Sequence, residues 1–266
     1  MPVLILLLIF LLFLYMIAPR FRFRKNLKPF IRYDYAHRGY WNIHKAIPEN
    51  SLSSFRLAVS HGFGIELDLH LTKDNKIVVF HDDFLTRMCG ENLSVENTTY
   101  EELSRHTLAG TFEKIPLFSE VLALVNGQTP LLIELKLPTS DTTLCSLVCR
   151  ELQNYNGAYL IQSFNSLGLL WFRKHAPHVI RGQLSSNLTK TEPDIPFIAC
   201  FFVKYLLSNL ITRPDFISYK LHDEKNISLF LHKYLFGTPI AVWTLRTEED
   251  FTYAKSKYSI MIFEKS

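Results

Sequence analysis

Eight short apolar runs alternate with helix-like segments from Tyr33 to Glu264, and that alternation constrains the fold more than any other feature. The runs are Tyr33–His37, Gly64–Leu69, Leu131–Lys136, Ala158–Ser163, Val179–Leu184, Phe216–Lys220, Ile240–Leu245 and Ile260–Glu264. Helical segments are predicted at Asn50–His61, Leu117–Asn126, Thr142–Gln153, Ser166–His175 and Glu248–Ser256. Asn50 or Ser51 suits the first N-cap, and Gly62 its stop. Strands alternating with helices build a parallel sheet closed by crossovers. Eight of them in about 235 residues predict an α/β fold, the (β/α)8 TIM barrel.

One piece breaks the alternation. Leu69–Asp82 reads LHLTKDNKIVVFHD, with Asp74-Asn75 between two strand-like arms, which signals a β-hairpin after the second strand. A two-residue turn there sets Asp68 opposite His81, Leu69 opposite Phe80 and Leu71 opposite Val78. Opposed residues share a face, so the hairpin is expected to return His81 to the side that holds Asp68.

Val3–Ala18 (VLILLLIFLLFLYMIA) carries no charge, although it falls slightly short of the ~17–25 residues of a spanning helix. No Lys or Arg precedes it, and basic residues follow it directly, which argues against a cleaved signal peptide. The expected organisation is a transmembrane anchor over 1–19, a basic juxtamembrane linker over 20–32 and a catalytic barrel over 33–266. The positive-inside rule then predicts a single-pass protein of the cell membrane with its barrel in the cytoplasm.

The net charge of +4 is unevenly placed. Arg20, Arg22, Arg24, Lys25, Lys28 and Arg32 supply six positive charges, so the +4 total leaves −2 for the rest of the chain. A nucleic-acid binder carries its charge as a folded stripe or patch; a cluster beside an apolar segment points to lipid head groups instead. The four cysteines show no zinc spacing and no disulfide framework, and are expected to be free thiols.

The ionisable residues fall at strand ends. His37 and Arg38 close the first strand, Glu66 and Asp68 sit at i and i+2 on the second, and Glu134 and Lys136 repeat that spacing on the third. Polar residues at the C-terminal ends of barrel strands line the catalytic mouth. Three carboxylates converging there require a cation, and an all-oxygen set selects Mg²⁺, Ca²⁺ or Mn²⁺ over zinc. His37 and His81 suit a general acid and base, and Arg38 and Lys136 bring positive charge for an anionic substrate. Together these groups describe phosphoryl-ester chemistry.

The ordered motifs AHRG (Ala36–Gly39), PEN (Pro48–Asn50), SFRLAVSHG (Ser54–Gly62) and IELDLHLTKDNKIVVFHD (Ile65–Asp82) resemble the glycerophosphodiester phosphodiesterase family. IPLFSEVL (Ile115–Leu122), LIELK (Leu132–Lys136), QSF (Gln162–Phe164) and VWT (Val242–Thr244) extend the likeness over residues 33–266. The resemblance implies a TIM barrel that hydrolyses glycerophosphodiesters to sn-glycerol 3-phosphate and an alcohol with one divalent cation. It implies Glu66, Asp68 and Glu134 as metal carboxylates, His37 and His81 as the acid/base pair, and Arg38 as the phosphate clamp. It further implies that the glycerol 2-hydroxyl attacks phosphorus, with water then opening a cyclic phosphate.

Other assignments stay open at this level. Lys136 contacts phosphate or merely neutralises its carboxylate neighbours. Glu49 and Asn50 cap the first helix or support the metal site, and Trp243 meets the substrate glycerol or packs in the core. The last strand reads IMIFEKS where many family members end in Thr-Asp and a Pro, so Glu264 is set aside. His70 alternates toward Glu66 and Asp68. Phe197–Ile211 is either an outer barrel helix or a lipid-touching lid over the mouth. The competing functions are lysophospholipase D cleavage of single-chain lipids on the same barrel, or a catalytically silent membrane-bound module.

Overall fold

The computed structural model describes residues 2–20, 27–191 and 195–265. Eight parallel strands close a barrel: β1 (Asp34–Ala36), β2 (Gly64–Leu71), β4 (Leu131–Leu135), β5 (Tyr159–Ser163), β6 (Arg181–Ser185), β7 (Phe216–Lys220), β8 (Ile240–Leu245) and β9 (Ile260–Phe263). β1 pairs with both β2 and β9, which completes the ring. A ninth strand, β3 (Ile77–Val79), runs antiparallel on β2. Each expected strand is present; Phe216–Lys220 and Ile240–Leu245 match to the residue, and no end of the others shifts by more than two.

The helices that matter below are α1 (Pro2–Ile17), α2 (Leu52–Ser60), α3 (Phe118–Val125), α4 (Thr143–Leu152) and α5 (Ser166–His175). α6 (Phe197–Lys204), α7 (Asn209–Thr212), α8 (Ile227–Tyr234) and α9 (Glu248–Lys255) follow. Ser51 caps α2 through a reciprocal box with Ser54, which satisfies two otherwise orphaned N–H donors. Gly62 then turns the chain with φ +71°, a left-handed conformation that costs glycine nothing.

Strand pleat sorts side chains into two layers. Ile65, Leu67, Ile133 and Leu135 point outward into one buried cluster with Phe55, Val121 and Phe172 of the surrounding helices. Tyr35, Leu132, Leu160, Phe216 and Ile260 form a second cluster, joined by Leu27 and Phe30 from the segment before β1. A Cβ at Gly182 would collide with the Phe216 ring, so glycine there makes room for the aromatic. The segment that precedes the first strand is thus part of the barrel core rather than a loose tether.

Two expectations change. The hairpin pairs Leu69 with Val79, His70 with Val78 and Leu71 with Ile77, one residue off the predicted register. The chain turns through residues 73–75, with Thr72 N–H bonded to the Lys76 carbonyl and Asn75 left-handed at φ 60°. Thr72 Oγ1 also accepts from Lys76 N–H, and that closure favours the three-residue loop over a two-residue turn. A one-residue slip exchanges the faces of a strand, so Asp68 lies across from Phe80, and His81 reaches the mouth from the bend after β3.

The second correction concerns the anchor. α1 has 16 residues, about 24 Å at 1.5 Å per residue, against a hydrocarbon core of about 30 Å. Among the described residues no helix is long and apolar enough to cross a membrane. Of the basic linker, residues 21–26 lie outside the described residues. Cys89, Cys145 and Cys149 are free thiols.

Candidate active site

The register of β2 against β4 places Asp68 beside Glu134, and β4 against β5 places Glu134 beside Gln162. Glu66 lies two residues earlier on β2, so its side chain shares Asp68's face. Ligand oxygens of Glu66, Asp68 and Glu134 fall within 4.8 Å of one another, and all three residues are buried. Such a cluster cannot remain fully ionised without positive charge nearby. Burial, and then the charges of Asp68 and Glu134, push the Glu66 carboxyl well above the usual carboxylate range. Burial pulls Asp68 the same way, but Lys136, His81 and Arg38 override it and hold its carboxyl well below that range. The all-oxygen donors, their spacing and the strained charge balance fit a hard divalent cation.

Lys136 bridges two of these carboxylates, with Nζ 3.1 Å from Asp68 Oδ1 and 2.5 Å from Glu134 Oε1. Arg38 lies on the other side, its Nε 3.7 Å from Asp68 Oδ2. Its backbone adopts φ 58°, a conformation that costs a non-glycine residue about 1–3 kcal/mol and is concentrated at functional sites. That turn aims the Arg38 N–H at Glu66 Oε2, 3.0 Å away. Asn50, at φ 51°, donates through Nδ2 to Asp68 Oδ2 at 2.9 Å. Ser51 is the cap, and Asn50 orients a carboxylate instead.

Each histidine is backed by an acid. His37 Nδ1 lies 2.6 Å from Glu264 Oε1, and His81 Nδ1 lies 2.6 Å from Asp82 Oδ1. The same logic orients imidazoles in catalytic triads: fixing Nδ1 leaves Nε2 to face the reacting groups. Arg246 Nε holds the other Glu264 oxygen at 2.7 Å. Arg87 clamps Asp82 with Nε at 2.7 Å and Nη2 at 3.0 Å, and reaches Glu49 with Nη2 at 2.7 Å and Nη1 at 3.1 Å. Glu49 in turn accepts from Arg38 Nη1 at 2.8 Å. One ionic chain therefore runs from His81 to Arg38. His37, Arg38, Glu66, His81, Arg87 and Glu134 line a cavity of about 1350 Å³ together with Trp243 and Lys136. Trp243 packs edge-on against Phe164, with ring centroids 5.9 Å apart.

The family model described as the glycerophosphoryl diester phosphodiesterase family matches residues 37–258. The chain belongs to this family. A glycerophosphodiester phosphodiesterase of Bacillus altitudinis is 32% identical over 173 residues, covering 60% of this chain and 69% of the relative. Lysophospholipase D GDPD1 of Rattus norvegicus is 30% identical over 167 residues, 56% of this chain and 46% of its own. An Oleispira antarctica phosphodiesterase, solved with the product sn-glycerol-3-phosphate, superposes with a TM-score of 0.72 at 21% identity, covering 88% of this chain and 94% of that one. At that identity the likeness carries the fold.

Within this phosphodiesterase family site, sequence reasoning missed Glu264, Arg87 and Gln162. Gln162 was legible in the QSF motif, where it precedes the strand end by one residue; its Nε2 is 3.4 Å from Glu66 Oε1. Glu264 stands directly after β9, at the catalytic end of a barrel strand, and that position was the available signal. Arg87 carries none. His70 shares the face of Glu66 and Asp68 along the unbroken strand, and there its Nε2 lies 3.2 Å from the His81 carbonyl. Burial lowers its pKa to about 4, which suits a neutral donor holding the bend that delivers His81.

Glu264→Gln is expected to lower kcat by about 10–100-fold, the usual loss when the partner orienting a functional histidine is removed, with KM little changed. Steady-state kinetics on glycerophosphocholine checks it. Burial would raise the Glu264 carboxyl, but His37 and Arg246 outweigh that and hold it at about 2. A depressed acid adds stability above its unfolded pKa and loses it as pH falls. The wild type should therefore lose more stability than Glu264→Gln between about pH 4.5 and 2, read by thermal melts across that window.

Proposed function

We propose that the chain hydrolyses glycerophosphodiesters to sn-glycerol 3-phosphate and an alcohol, using a divalent cation held by Glu66, Asp68 and Glu134 and proton transfer by His37 and His81. The observation that carries this reading is the meeting of three buried carboxylates and two acid-backed imidazoles in one cavity. When bound, Mg²⁺, Ca²⁺ or Mn²⁺ supplies charge for the phosphate oxygens and acidifies a nearby hydroxyl. Arg38 and Lys136 line the cavity and are the positive groups for the phosphate oxygens. One imidazole Nε2 accepts the proton of the attacking hydroxyl while the other delivers one to the leaving alcohol. Attack by the substrate's own 2-hydroxyl needs no second molecule to be positioned, which gives a large effective concentration; it expels the alcohol and leaves a cyclic phosphate, which water then opens to sn-glycerol 3-phosphate. Trp243 offers an aromatic wall for the glycerol carbons. Phosphorus NMR of glycerophosphocholine digested by the full chain is the test: sn-glycerol 3-phosphate supports the reading, and phosphocholine overturns it.

A second substrate class has its own observation. The cavity exceeds the ~300–1,000 Å³ typical of small-ligand sites, and its far wall is apolar, built from Leu184, Leu188, Ile195, Ala199, Phe202 and Val203. α6 has only Cys200 buried, so it roofs the mouth rather than packing as an ordinary outer helix. That wall suits one acyl chain, as in a lysophospholipid. Phe202→Ser is expected to cut hydrolysis of lysophosphatidylcholine about tenfold or more, the loss of one aromatic side chain that the acyl chain would cover, and to spare glycerophosphocholine. Equal loss on both would reject an acyl site.

Residence at the cell membrane, with the barrel on the cytoplasmic side, is supported by the apolar α1 and by the basic residues that follow it in sequence. Resistance to carbonate extraction checks the first part, and protease shielding in intact cells the second.

A further inference from the structure

We propose that the barrel flank formed by α6, α7 and α8 docks flat on an anionic lipid surface beside the α1 insertion point. The inference rests on the membrane reading of α1 and goes further, because it assigns a lipid-facing side to the barrel itself.

α8 carries a stripe at i, i+3 and i+7: Ile227 is 55% exposed, Phe230 56% and Tyr234 66%, with Leu235 beside them at 56%. On α6, Phe197 and Ile198 are 68% and 62% exposed. Large apolar side chains exposed singly need no explanation, but a contiguous set marks an interaction surface. α6 and α7 connect β6 to β7 and α8 connects β7 to β8, so they succeed one another around the barrel, and Asn209 of α7 meets His232 of α8. Asp223 and Glu224 stand in the connection before α8, where Glu224 is taken up by the Tyr253 and Tyr258 hydroxyls. The sequences of α6, α7 and α8 contain no Asp or Glu. Their lysines lie against rings, Lys204 Nζ 5.2 Å from the Tyr205 centroid and Lys233 Nζ 5.2 Å from that of Tyr234. Apolar side chains flanked by lysines and tyrosines match the boundary between acyl chains and head groups.

The flank is also where α1 leaves the body. Asn209 Nδ2 on α7 donates to the Ile17 carbonyl at 3.0 Å and lies 3.1 Å from His232 Nε2 on α8. Arg213 Nη1 donates to the Tyr15 and Ala18 carbonyls at 2.7 and 3.0 Å, with its guanidinium over the Tyr15 ring. The end of the apolar helix is therefore held at the seam between α7 and α8, and inserting it brings these exposed side chains to the same lipid surface. A second copy of the chain fits less well, since a two-fold contact sets the patch against itself and would oppose lysine to lysine. The inner side of α6 lines the catalytic cavity through Ala199, Cys200 and Val203, so a single helix separates the proposed lipid surface from the active site.

The test uses the full chain with Cys89→Ser, Cys149→Ser and Phe230→Cys, labelled with nitrobenzoxadiazole. A control places the label on α3 by Ala123→Cys. Unchanged hydrolysis of soluble glycerophosphocholine shows that both proteins fold. With vesicles of phosphatidylcholine and phosphatidylglycerol, emission at position 230 should rise roughly threefold as the probe enters the interface, and stay constant at 123. Failure of the protein to float with the vesicles would overturn the membrane reading itself. Flotation with no rise at 230, or an equal rise at both positions, would overturn the docked flank alone. A rise at 230 that depends on protein concentration without vesicles would assign the patch to a second copy instead.

Discussion

Replacing His37 or His81 by Ala is expected to lower kcat on glycerophosphocholine by roughly 10²–10⁴-fold each, the range for a positioned acid or base. Both imidazoles line the one cavity with Nδ1 held by a carboxylate, so each loss removes a proton path rather than a binding contact. KM should move little. The effects should not multiply in the double variant, because residues that act on one transition state are strongly non-additive. Burial lowers the His37 pKa despite its bond to Glu264, but the two roles are better separated by leaving group than by pH. With a nitrophenyl ester in place of choline, the departing oxygen needs no proton. The variant whose defect shrinks on that substrate lacks the acid, and the variant whose defect persists lacks the base. Wild-type rates in both variants would remove the histidines from the mechanism.

Chelation is expected to have a comparable effect. Removing a divalent cation forfeits several kcal/mol of transition-state stabilisation, which is on the order of 10³-fold or more at 1.36 kcal/mol per tenfold. Activity should return with Mg²⁺, Ca²⁺ or Mn²⁺. Glu66→Gln should give a similar defect that added metal does not repair. A second readout does not depend on turnover. A ligand that binds only the folded chain stabilises it by mass action, so divalent cations should raise the wild-type Tm and leave that of Glu66→Gln nearly unchanged. The metal-free variant should be at least as stable as the metal-free wild type, because a buried carboxyl beside two others is costly to ionise. Full activity in excess EDTA would show that Lys136 and Arg38 supply the needed charge by themselves.

The barrel and most of its carboxylate cluster were legible because both depend on short-range order. Alternation of apolar runs with helical segments reports layers, and the i, i+2 spacing of Glu66 and Asp68 reports a shared face whatever surrounds the strand. The family motifs then carried His37, His81, Arg38 and Glu134. Where the reading failed, the deciding contact was long-range or turned on one local hydrogen bond. Thr72 Oγ1 bonding Lys76 N–H shifted the hairpin by one residue, a change too small for a pattern of alternating residues to register.

Glu264 meets His37 across 227 positions of sequence, and Arg87 meets Glu49 across 38. Neither pair has a periodicity to betray it, because ring closure and a loop bring them together. α1 divides in the same way. Its composition alone set it apart as an apolar segment that water does not favour. Only the tertiary structure seats its end on Asn209 and Arg213, because docking is settled by hydrogen-bond partners on distant elements rather than by hydropathy.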